Sequence, residues 1–124
     1  MLLKDFYSVV SLDKADEKNY IVWIRLNKDH EIFKGHFPDN PVTPGVCMMQ
    51  IVKELTERFT GKKLFMSQVS NVKFMALINP ELHPELKLEM SVDTDLELAQ
   101  SKVKTTAVYE DTVALKMGTT FKIV

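Results

Sequence analysis

Residues 30–46 read His30-Glu31-Ile32-Phe33-Lys34-Gly35-His36-Phe37-Pro38-Asp39-Asn40-Pro41-Val42-Thr43-Pro44-Gly45-Val46. Gly35 and Gly45 are two of only 4 glycines, and Pro38, Pro41 and Pro44 are three of only 5 prolines. Turn-formers crowded into one segment predict a rigid, irregular loop between regular elements. The pattern then becomes helical. Thr43 suits an N-cap, because its hydroxyl can accept from a first-turn amide. Pro44 follows at the first helical position, where a missing N–H does no harm. Val46, Met49, Val52, Leu55 and Phe59 continue at helical spacing. Arg58, Lys62 and Lys63 suit the negative end of the helix dipole, and Gly61 suits a C-cap. One helix is expected, over about residues 44–60.

Most of the remaining chain reads as strand. Tyr20, Val22, Ile24 and Leu26 face one way. In residues 85–93, apolar Leu86, Leu88, Met90 and Val92 alternate with polar neighbours. Val113, Leu115, Met117, Phe121 and Ile123 share a parity. Such alternation marks strands with one buried face, as in antiparallel sheets. Glu110 with Asp111 is expected to turn one hairpin, and residues 94–96 another. Residues 69–78 are less regular and are expected to form a long or bulged strand. The order is two strands, one long helix, then about four more strands. A sheet with one apolar face needs a cover, and only one helix can supply it. That helix is apolar over much of its circumference, as burial inside a curled sheet requires. The expected class is α+β: a hot-dog arrangement, with one long central helix wrapped by a curved antiparallel sheet.

The bulk properties narrow the field. A chain of 124 residues is expected to be a single domain spanning residues 1–124. At 45% hydrophobic and 27% charged residues it can fill one core. A net charge of -1 gives no overall attraction to nucleic acid or to an anionic membrane, and neither is expected as a partner. Cys47 is the single cysteine, which excludes an internal disulfide and fits a reducing compartment. It is expected to be a small buried side chain rather than a nucleophile. Leu2 and Leu3 run straight into Lys4 and Asp5, too short and charged for a signal-peptide core. No run approaches the roughly 18 apolar residues of a membrane span. A cytoplasmic location is expected. Three scattered histidines and one cysteine do not have ligand spacing, so no metal site is expected.

Phe33, Gly35-His36-Phe37-Pro38, Pro41 and Pro44-Gly45-Val46 meet every fixed position of a known signature. It runs Phe, any residue, Gly-His-Phe-Pro, two residues, Pro, two residues, Pro-Gly-Val or Pro-Gly-Cys. On these residues the chain resembles the hot-dog 3-hydroxyacyl-(acyl carrier protein) dehydratases of fatty-acid synthesis. A weaker resemblance covers almost the whole chain. Leu26-Asn27 is similar to the family's strand entry, and Val72-Lys73-Phe74 to its lysine- or arginine-Phe strand. The family's later Pro-Gly-Asp turn is not kept, since Pro84 is followed by Glu85 and Leu86.

The resemblance implies loss of water from a 3-hydroxyacyl thioester to give a trans-2-enoyl thioester. His36 is then the base that takes the C2 proton, because imidazole can accept and return a proton near neutral pH. The carbonyl of Val42 would hold its other ring nitrogen. The Gly45 N–H, aided by the helix dipole, would stabilise the developing enolate oxygen. A glycine there lets the thioester approach. Phe37, Val42, Gly45 and Val46 are the implied substrate-binding residues. Met48, Met49, Met66 and Met75 suit the core or an acyl tunnel.

The same resemblance implies a helix Glu or Asp fourteen positions after the histidine, where this chain carries Gln50. Glutamine cannot donate a proton as an acid at useful pH. Many relatives carry Gln four positions further on, where this chain carries Glu54. The pair is exchanged. Residues at i and i+4 share a helix face, roughly 6 Å apart along the axis. Either Glu54 reaches a substrate hydroxyl through water, or Gln50 positions that hydroxyl while Glu54 acts behind it. His30 is expected in the loop entry and His83 in a turn. No dissociable cofactor is implied. The family builds its site at a dimer interface, so a homodimer or higher oligomer is expected, acting on acyl carrier protein or coenzyme A thioesters. Two other readings stay open. One is an acyl-thioester hydrolase on the same fold. The other is a catalytically degenerate acyl-binding subunit of a heterodimer, which Gln50 favours.

Overall fold

The computed structural model describes residues 4–34 and 41–124. Strands β1 (Tyr7–Lys14) and β2 (Asn19–Leu26) form a hairpin. Its turn is closed by Asp16, whose Oδ1 accepts from the amides of Lys18 and Asn19, each at 2.9 Å. A short helix α1 (Glu31–Lys34) and the long helix α2 (Gly45–Thr60) follow. Then come β3 (Leu64–Phe74), β4 (Glu85–Asp95), β5 (Gln100–Tyr109) and β6 (Thr112–Ile123). All six strands join one antiparallel sheet in the order β1-β2-β4-β5-β6-β3. Two strands, a long helix and four strands is the expected order. The single turn α1 is an addition to it.

The register shows why alternation was a sound guide. Val22 lies opposite Leu88 and Ile24 opposite Leu86. Leu88 continues to Ala107, and Ala107 to Leu115. These residues are fully buried. They form rows that run across the sheet on one face. The same core holds Met48, Ile51, Val52 and Leu55 from α2.

Four local expectations need correction. Helix α2 is capped by Pro44 in an extended conformation (φ −63°, ψ 144°), and no side chain caps it. Thr43 instead donates its N–H to the Ile78 carbonyl at 2.8 Å. That tie draws it into the core, where its hydroxyl is buried with no hydrogen-bond partner among the described residues. The buried stripe of α2 is also rotated from the one expected. Val46 is 64% exposed, and Met49 and Phe59 sit at the flanks. A helix apolar most of the way round does not announce its phase. The β4–β5 turn occupies residues 96–99 rather than 94–96. Asp95 starts it, its Oδ1 accepting from the amides of Glu97 and Leu98 at 3.0 and 3.1 Å. Strand β3 starts and ends earlier than residues 69–78, and its register shifts twice, between Met66 and Gln68 and between Ser70 and Lys73.

Two other signals hold. Gly61 ends α2 in the left-handed region (φ 68°), its N–H donating to the Glu57 carbonyl at 2.9 Å. Glu110, at φ 53°, turns the β5–β6 hairpin. Among the described residues no helix is long and apolar enough to cross a membrane.

Candidate functional site

His36 and Phe37 lie outside the described residues, and with them any pairing of His36 to Val42. The chain on both sides is firmly held. On the entry side, the His30 ring packs edge-on against Phe6 at 5.2 Å. Its Nδ1 accepts from the Ile32 N–H at 3.1 Å. Its Nε2 therefore carries the proton and donates to the Lys4 carbonyl at 3.0 Å. His30 is thus a structural residue of the loop entry, as expected. Phe33 is buried and stacks on Phe6 at 5.2 Å. On the exit side Pro41 and Thr43 are buried and Val42 half-buried.

Gly45 is the first residue of α2. The amides of Cys47 and Met48 both reach back to the Pro44 carbonyl, at 3.0 and 3.3 Å. Those of Gly45 and Val46 stand ahead of them, where a helix has no acceptors of its own. A partial positive charge concentrates there, suited to a developing anion. The bare face of Gly45 is covered by the Phe74 ring. A Cβ at this position would lie 2.8 Å from Phe74 Cζ. Phe74 and Val46 are both largely exposed, so this end of the helix carries an apolar surface. Cys47 beside it is buried, and burial pushes its thiol pKa up. That fits a packing residue, not a nucleophile.

One turn further along α2, Gln50 Nε2 donates to Glu54 Oε2 at 3.0 Å. The i, i+4 spacing brings the two together as expected. A third residue joins them. Tyr7 in β1 donates its hydroxyl to Glu54 Oε1 at 2.9 Å. Burial first, and then the Glu54 carboxylate, hold the Tyr7 phenol far above its ordinary pKa, with Arg58 opposing. Tyr7 belongs to no motif and lies 47 positions from Glu54. Only the pairing of β1 with β2 brings it here, with Tyr7 opposite Leu26.

An open groove of about 670 Å³ runs past Tyr7, Arg25, Lys28, Glu81 and Pro84. Neither Gln50 nor Glu54 lines it, and it adjoins their cluster only through Tyr7. His83 is a turn residue, as expected. It stacks on Tyr109 at 4.1 Å, and its Nδ1 lies 3.6 Å from Glu110 Oε1. Among the described residues no group of histidine, cysteine and carboxylate side chains could hold a metal ion.

Residues 12–111 match the ApeI-like family, described as ApeI dehydratase. The 3-hydroxyacyl-(acyl-carrier-protein) dehydratase FabZ of Lactobacillus helveticus is 30% identical over 131 residues, covering 97% of this chain and 86% of that relative. Among solved structures, the dehydratase heterocomplex ApeI:P from Xenorhabdus doucetiae superposes with a TM-score of 0.69 at 17% identity, covering 93% of this chain and 96% of that one. A hypothetical thioesterase with coenzyme A from Streptococcus pneumoniae TIGR4 gives a TM-score of 0.65 at 7% identity, covering 95% and 85%. At such identities the two structures speak for the fold alone, which is the hot-dog arrangement.

Proposed function

The chain belongs to the ApeI-like dehydratase family, and from that premise we propose that it removes water from 3-hydroxyacyl groups carried on acyl carrier protein. The product is a trans-2-enoyl thioester, made for fatty-acid or related lipid synthesis. The observation that carries this reading is the near full-length likeness to the FabZ dehydratase. The complete dehydratase signature over residues 33–46 supports it.

His36 takes the proton from C2, and the electron pair of that bond moves toward the thioester carbonyl. The Gly45 N–H at the start of α2 receives the enolate oxygen. Gln50, backed by Glu54, holds the 3-hydroxyl. The C3–O bond then breaks, its electron pair leaving with oxygen. The leaving hydroxide takes the proton that His36 removed, so water departs and the C2–C3 double bond forms. Histidine can serve as base and then acid because its pKa lies near working pH. A one-histidine relay suits a helix that carries an amide at position 50. Phe37, Val42 and Val46 complete the acyl site. The Gln50–Glu54 hydrogen bond of 3.0 Å supports the paired reading of these two residues. A homodimer and a cytoplasmic location belong to the same proposal.

A second reading has one observation in its favour. The similar Xenorhabdus structure is a heterocomplex, and this chain would then serve as the acyl-binding subunit of an active partner. One experiment separates the readings. The purified chain is given a 3-hydroxyacyl-carrier thioester, and both the ultraviolet absorbance of the enoyl product and free carrier thiol are followed. Enoyl product is expected, with no thiol. Thiol release would show a hydrolase. No reaction until a second hot-dog chain is added would favour the subunit.

A further inference from the structure

Glu54 accepts hydrogen bonds from two side chains that arrive from different elements. Gln50 approaches along α2 at 3.0 Å, and Tyr7 crosses from β1 at 2.9 Å. Each takes a different carboxylate oxygen. A half-buried phenol must make its hydrogen bond or bear the penalty of lost water. Tyr7 makes its bond to an anion, which is the stronger kind. Burial and the adjacent carboxylate keep the phenol protonated far beyond ordinary pH, so it is a permanent donor.

This has a consequence for Gln50. A carboxylate can only accept. Gln50 must therefore turn its NH2 group toward Glu54, which leaves its carbonyl oxygen pointing elsewhere. Without the Tyr7 bond the Glu54 carboxylate could rotate about its side chain, and the amide would lose its fixed partner. A fixed carboxylate gives a fixed amide.

We propose that Tyr7 is a positioning residue which, through Glu54, orients the Gln50 amide so that its Oε1 accepts a hydrogen bond from the 3-hydroxyl of the acyl chain. The site thereby selects 3-hydroxyacyl over saturated acyl thioesters. The proposal rests on the reading of Gln50 as a residue that faces substrate. It also fits the relay through His36. A hydroxyl that donates to Gln50 keeps its oxygen lone pairs open to the returning proton.

The test uses binding, so it does not depend on turnover. Two amide-linked pantetheine analogues, 3-hydroxyhexanoyl and hexanoyl, are titrated into the wild-type chain, Tyr7→Phe, Glu54→Gln and the double variant. The wild type is expected to prefer the hydroxyl analogue by about three- to tenfold, the worth of one net hydrogen bond. Tyr7→Phe keeps the ring packing, so it should lose the preference while still binding the hexanoyl analogue normally. Adding Tyr7→Phe to Glu54→Gln should change the preference no further. A Tyr7→Phe variant that retains the preference overturns the proposal. So does one that weakens both analogues equally, or whose effect adds to that of Glu54→Gln. Equal binding of both analogues by the wild type overturns it alone, whereas binding of neither overturns the acyl-thioester reading beneath it.

Discussion

At position 45 the absence of a side chain leaves room for a neighbour: the Phe74 ring would stand 2.8 Å from a Cβ there. Gly45→Ala must push that ring aside or shift the first turn of α2. A shift of the turn displaces the amide proposed to hold the enolate oxygen, and a displaced ring alters the surface beside it. The expected result is a fall in kcat/KM of about ten- to hundredfold, since a small misplacement near the reacting atoms can reach that size. Adding Phe74→Leu should restore part of the activity, because the obstructing ring edge is gone. Steady-state kinetics of the single and double variants, with melting temperatures as a folding control, check this. At this scale the sequence was informative where chemistry is written locally. The Gly-His-Phe-Pro run and the Gln50 and Glu54 spacing all lie within a few turns of chain. Tyr7 was not legible, because a tyrosine 47 positions from its carboxylate announces nothing until the sheet is assembled.

Helix α2 has two faces with different duties. Met48, Ile51 and Leu55 are sealed in the core, while Val46, 64% exposed, lies outside it. Leu55→Ala should therefore destabilise the chain by about 2–5 kcal/mol, the usual range for a large-to-small change in a packed core. Val46→Ala should change stability by less than about 0.5 kcal/mol. Urea unfolding of both variants measures the contrast, and equal effects would place the buried face wrongly. The element itself, its end at Gly61 and the strands around it could be read from periodicity and turn residues. Its phase could not, because apolar residues occur on nearly every side. Boundaries set by long-range bonds were also out of reach. Thr43 loses its capping role to a hydrogen bond with Ile78, which lies on the far side of β3 in the chain.

The sheet ends at β1 on one side and β3 on the other. Strand β3 carries exposed Phe65 and Val69, and an apolar edge strand invites pairing. We expect two copies to join through it. Light scattering should then give twice the 14.2 kDa chain mass. Phe65→Lys with Val69→Lys should shift the species toward the single-chain mass, and a wild type that stays at that mass in concentrated solution would count against this edge. The succession of two strands, one long helix and about four more strands was legible, since alternation, one long helix and a shortage of other covers leave few alternatives; the order of the strands within the sheet was not. The proposed reaction turns on His36. Intact mass spectrometry of a 3-hydroxyacyl-carrier thioester, incubated with the wild type and with His36→Ala, tests it most directly. The carrier is expected to lose one water with the wild type, and His36→Ala to slow that loss by at least about a hundredfold. Water loss at the same rate in both, or an unchanged carrier mass with the wild type, would contradict it.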